Sequence, residues 1–153
     1  MPVVTTSVPV LTRWTTTLNR STPADPAVRA AAAIGLITVG VIHSLQIQGQ
    51  LSGAAWLTAG FFMLAVVAPA AGLWLLAHPS LAAWQFAGLT CAAAFGGYVL
   101  TRSVPVPGDE GDVGNWLEPL GLAAILTEAV VVILAVSVLS SAYRAARVTG
   151  YKL

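Results

Sequence analysis

Charge is what this sequence has least of. Of its 153 residues only 8% are Asp, Glu, Lys or Arg, against roughly 25% in an ordinary soluble domain. So few ionic groups cannot cover a water-facing surface of this size. A net charge of +1 also leaves no electropositive field to recruit nucleic acid, which excludes that class of partner. Cysteine is nearly absent as well. With Cys91 alone there is no intrachain disulfide, no CxxC redox pair and no thiolate zinc site. Cys91 lies in an apolar segment and reads as a small packed residue. Also missing are HExxH, a Walker loop, GxGxxG and any Ser/His/Asp arrangement, so no motif names a substrate, cofactor or reaction.

What the chain does have is apolar length. Hydrophobic residues make up 57% of it, gathered into four runs at about 26–46, 51–77, 81–101 and 116–142. Roughly 20 mostly apolar residues cross a hydrocarbon core of about 30 Å as a helix. The runs therefore predict an all-α, transmembrane four-helix bundle over 26–142, with lipid as its solvent. Asp25 is placed to cap the first span and Pro26 to open it. Pro69 interrupts the second with a kink that neighbouring helices accommodate. His78-Pro79-Ser80 turns tightly into the third, and the one substantial loop spans 102–115. Residues 1–25 lack the early apolar core and cleavage site of a signal peptide. They read as a retained, disordered cytoplasmic tail, and 143–153 as a basic cytoplasmic tail.

Orientation follows from the cations. Arg13, Arg20 and Arg29 precede or open the first span, and Arg144, Arg147 and Lys152 follow the fourth. With an even number of spans they share a side, which the positive-inside rule makes cytoplasmic. The protein is thus expected in the cell membrane, multi-pass, with the acidic loop outside. Trp56 and Trp74 lie about 27 Å apart along a helix and suit the two interfaces. Trp84 with Tyr98, and Trp116 with Tyr143, bracket spans three and four in the same way. Lipid is no less apolar than leucine, so association rests on close packing and interhelical hydrogen bonds. Gly88, Ala92 and Gly96 form a small-residue row on span three. This predicts a central position for that span, touching at least two neighbours, or else a homodimer contact. Gly35 and Gly40, and Gly49 with Gly53, offer further close approaches.

A few polar residues carry the candidate chemistry. Glu128 falls about 18 Å beyond Trp116 along a helix, near the bilayer midplane, where an acid costs about 2.5–3.5 kcal/mol. It requires a partner or a proton, on a face shared with Gly121, Ala124 and Ala135. It reads either as a proton-relay or ligand-binding carboxylate, or as a protonated structural acid between helices. His43 sits toward the outer end of span one, with Gln46 and Gln50 on the same face if the helix continues. It suits a polar outer pocket, an interfacial hydrogen bond, or a metal or haem ligand. His78 is expected at the opposite interface, too far to share one haem with it. Arg102 and Glu118 cluster on the outer side, where an Arg102–Glu118 ion pair would pin the loop. Glu118-Pro119 begins the fourth helix with favourable dipole chemistry. The acids Asp109, Glu110 and Asp112 lack the EF-hand pattern and read as a solvated turn. Gln85 lies near the inner end of span three, far from His43.

The stretch Gly97-Tyr98-Val99-Leu100-Thr101-Arg102-Ser103-Val104, then Pro107-Gly108, then Asn115-Trp116-Leu117-Glu118-Pro119-Leu120-Gly121-Leu122, is a recognisable pattern. Together with His43 and Glu128 it resembles a family of small four-span membrane proteins of high-GC Gram-positive bacteria, over about 30–140. The resemblance implies the bundle and no mechanism. Where such proteins often carry a glutamine after paired aromatics, this chain has Phe61-Phe62-Met63-Leu64. The sequence is thus read as a non-enzymatic accessory or assembly component of a larger membrane complex. It would meet the lipid bilayer and other membrane subunits or a second copy, and no cofactor is predicted. Two alternatives stay open: a small-molecule or proton-coupled carrier using Glu128, and a haem-binding redox subunit using His43.

Overall fold

The computed structural model describes residues 24–51 and 54–148. The expected tail at 1–25 falls outside them save for its last two residues, as do Gly53 and the end of the C-terminal tail. Among the described residues the chain is all-α, with helices α1 (Pro26–Gln50), α2 (Ala55–Ala77), α3 (Leu81–Ser103) and α4 (Pro119–Val148). A single 3-10 turn, Glu110–Asp112, interrupts the loop before α4. The helices form a ring in chain order: α1 packs on α2, α2 on α3, α3 on α4, and α4 closes back on α1. The α2–α3 seam is the least extensive of the four. Span three touches two neighbours, as expected, but holds no central place, because every helix has two principal neighbours.

Helix ends explain where the expected boundaries moved. Asp25 accepts the Ala27 N–H at 2.8 Å, with Pro26 in the first turn, and α1 then runs four residues beyond 46. Ser80 caps α3 by accepting the Ala83 N–H at 3.2 Å. Trp116 stays outside α4, which starts at Pro119 and extends past 142 through much of the expected basic tail. Three helices, α1, α2 and α4, are long and apolar enough to cross a membrane. The remaining helix, α3, is as long as α2 at 23 residues, but Gln85, Thr90 and its glycines dilute its hydropathy.

Each helix buries a narrow stripe and leaves large apolar side chains outside. Leu36, Val39, Ala68, Ala71, Leu75, Ala83, Trp84, Ala87, Cys91, Val131 and Ala135 make one core. Meanwhile Ile34, Met63, Leu73, Leu89, Leu126 and Ile133 are more than half exposed. An apolar exterior around a small-residue core is what lipid solvation permits. Trp84, expected at an interface, is fully buried in this core. The expected row on α3 is only partly used. A β-carbon on Gly88 would lie 2.9 Å from Ala135 Cβ, whereas one on Gly96 would meet nothing within 4 Å, and Ala92 is exposed. A tighter approach is α1 on α2 at Gly40, where a β-carbon would run into the Pro69 ring and lie 3.3 Å from the Ala65 carbonyl. That carbonyl is the acceptor Pro69 leaves without its helical donor. Gly49 faces open space.

A candidate intramembrane polar pocket

The core fills one half of the bundle, and the other half opens into a cavity of about 360 Å³. Its back wall is α1 and α4, which supply His43, Gln46, Gly121, Ala124 and Glu128. Its flanks are α2 and α3, with Phe61 and Met63 on one side and Gly97 and Tyr98 on the other. The lining is almost wholly apolar apart from two groups of polar residues, one deep and one at the end that carries the α3–α4 loop.

The deep group is His43 with Glu128. On α4 the residues Gly121, Ala124, Glu128, Val131 and Ala135 are buried on one stripe, as the helical spacing predicts. Glu128 is 1% exposed and His43 7%. Because α1 continues to Gln50, His43 lies well inside the helix rather than at its end. His43 Nδ1 is 2.9 Å from the Val39 carbonyl, and a carbonyl only accepts, so Nδ1 carries a hydrogen. Nε2 is therefore the nitrogen turned to Glu128, 3.8 Å from Oε1, within ion-pair range and beyond a direct hydrogen bond. The Phe61 ring packs against the imidazole with centroids 5.3 Å apart. Glu128 Oε2 is buried with no hydrogen-bond partner among the described residues. Such an atom costs about 1–3 kcal/mol or more when left unpaired. About nine residues, or roughly 14 Å of helix, separate it from the start of α4.

The outer group is held by the α3–α4 loop, and here the expected ion pair is replaced. Arg102 pairs with Asp112 rather than with Glu118. Its Nε donates to the Asn115 carbonyl at 3.1 Å and its Nη1 to Thr101 Oγ1 at 3.0 Å. The guanidinium also lies over the Tyr98 ring at 4.6 Å, and the Arg102 carbonyl accepts the Gly114 N–H at 2.9 Å. Glu118 is committed elsewhere: its carboxylate caps α4 by accepting the Leu120 and Gly121 N–H groups. Gln46 Nε2 reaches the same carboxylate at 3.5 Å. Of the candidate outer cluster, Gln50 has no described side chain. Two glycines with positive φ, Gly108 and Gly114, let the loop reverse where a β-carbon would be strained. Burial and the neighbouring Asp112 charge push the Asp109 carboxyl above the usual range. A hydrogen bond from the Gly108 N–H holds that of Glu110 below it.

The loop also crosses to α2: Trp56 Nε1 donates to the Pro107 carbonyl at 3.0 Å, and Gly108 seats against Ala54. Tyr98 donates to the Trp116 carbonyl at 2.9 Å, its ring lying where a β-carbon on Gly121 would fall. Reading by sequence placed Tyr98 and Trp56 only as interface aromatics and missed them as pocket walls. His78 is exposed at the end of α2, and Gln85 reaches Tyr143 at 3.2 Å, both remote from the pocket. No group of three or more His, Cys, Asp or Glu side chains among the described residues could hold a metal ion. No family model, curated protein or solved structure matches this chain.

Proposed function

We propose that this chain is a multi-pass cell-membrane protein that binds and carries a small, largely apolar molecule, using His43 and Glu128 as a proton-sharing pair. All four helices cross the bilayer in this reading, α3 included, because it packs along α2 and α4 with comparable length. Both termini are then cytoplasmic, with Arg29, Arg144 and Arg147 on that side. The observation that supports binding is Glu128, which lines an apolar cavity while its buried Oε2 lacks a partner among the described residues. A carboxylate kept only to join two helices would have both oxygens used. Intramembrane acids with a histidine neighbour suit proton exchange with a bound molecule. An accessory role in a larger complex is a second reading, favoured by the exposed Ala92–Gly96 face of α3, which permits close approach of another helix.

Gly97 offers the direct test, since it lines the cavity and a β-carbon there meets nothing within 4 Å. Gly97→Phe should fill the cavity without disturbing the fold. Protein purified in mild detergent is extracted with solvent, and the extract is analysed by mass spectrometry. A small molecule enriched with the wild type and lost from Gly97→Phe is the expected result. Identical extracts from two equally folded proteins would remove the binding reading and leave the accessory one.

A further inference from the structure

We infer that the ligand of this pocket is a lipid-soluble molecule bearing a neutral hydroxyl, an alcohol or phenol, which enters between α2 and α3 and donates a hydrogen bond to the Glu128 carboxyl. The assignment rests on the pocket reading above and goes beyond it by naming what the pocket recognises.

The hydroxyl follows from counting hydrogens. The Val39 carbonyl occupies His43 Nδ1–H, and Nε2 stands 3.8 Å from Glu128 Oε1, too far for a direct hydrogen bond. An ionised carboxylate accepts at both oxygens, and a protonated one accepts at one and donates from the other. In either state at least one oxygen asks for a donor, which a hydroxyl supplies and a ketone, ether or ester cannot. Neutrality follows from the surroundings. Arg102, the cation nearest the mouth, is already engaged by Asp112, Asn115 and Thr101. A charged ligand would also have to leave water for an apolar cavity.

The route follows from the ring of helices. Contact between α1 and α4 closes the back, and the α3–α4 loop bridges the outer end to α2 through Trp56 and Pro107. What remains is the α2–α3 seam, where Gly60 and Gly97 leave open space and Met63 is 65% exposed. That seam faces hydrocarbon in a membrane-spanning bundle, so the ligand arrives dissolved in lipid.

The test compares three probes on the full chain in phosphatidylcholine nanodiscs: para-hexylphenol, its methyl ether para-hexylanisole, and the cationic para-hexylbenzylamine. Binding is read from tryptophan fluorescence, with Trp56 in the cavity wall. The phenol should bind about tenfold more tightly than the ether, the equivalent of one hydrogen bond, and more tightly than the amine. Glu128→Leu should erase the preference. Glu128→Gln should keep it, because the amide retains an acceptor oxygen. Equal binding of phenol and ether, preference for the amine, or loss of the preference in Glu128→Gln would overturn the assignment of a neutral hydroxyl donor. Gly97→Phe separates the two levels. If the probes bind the wild type and not Gly97→Phe but without discrimination, the pocket stands and the hydroxyl falls. If no probe binds the wild type, or Gly97→Phe binds them as the wild type does, both fall.

Discussion

Removing the Arg102 guanidinium should loosen the outer end of the bundle by an amount the geometry sets. Its side chain is 10% exposed and that of Asp112 21%, so the pair lies between a solvated surface bridge, at about 0–1 kcal/mol, and a buried pair broken on one side, at about 3–5 kcal/mol. Two charge-assisted hydrogen bonds, to the Asn115 carbonyl and Thr101 Oγ1, are lost with it, as is the stacking on Tyr98. Stacking of this kind contributes about 0.5–2 kcal/mol. Because these contacts share one group they do not add, and Arg102→Met should cost about 2–4 kcal/mol. Arg102→Lys retains the charge but not the planar fork that serves three acceptors, and should cost about 1–2 kcal/mol. Combined with Asp112→Asn, the Arg102→Met variant should show coupling of about 1–2 kcal/mol. The measurement is equilibrium unfolding in mixed micelles with rising SDS, followed by tryptophan fluorescence. An Arg102→Met protein within about 0.5 kcal/mol of wild type, or lysine equal to arginine, would refute this account of the loop.

The glycines make a paired prediction in the same assay. Gly40→Val, which meets the Pro69 ring, should lose about 1–3 kcal/mol, while Gly96→Leu, facing open space, should stay within about 0.5 kcal/mol. Glu128→Leu should leave the bundle as stable as wild type or more stable by about 1–3 kcal/mol, since it removes a buried group with one oxygen unpaired. Marked destabilisation would instead identify a structural acid. Asp109 titrates above its ordinary value in the folded loop, so the folded state binds more protons than the unfolded one through that interval. Stability then falls as pH rises through the interval. Asp109→Asn should therefore be the more stable protein at neutral pH, with the difference vanishing once pH drops below the unfolded value. Urea or SDS titrations at several pH values would show it, and a difference that grows toward acid would contradict the sign.

The all-α class, the number of helices and the burial of Glu128 on a stripe with Gly121 and Ala124 were all determined by hydrophobic run length and helical period, which are local properties of the chain. The cap at Asp25 was legible for the same reason, being an interaction within one turn. Three things were decided only when the helices met. His43 joined Glu128 because α1 packs on α4, a pairing that no pattern within either helix specifies. Arg102 chose Asp112 over Glu118 because the carboxylate of Glu118 was consumed in capping α4, a competition between partners at very different sequence separations. Trp84 went inside while Ala92 and Gly96 stayed out, since small residues permit a close approach but do not specify which neighbour makes it. The pocket belongs wholly to this second group. It exists where α2 and α3 pack least closely, and no residue pattern along one chain segment encodes the spacing between two others.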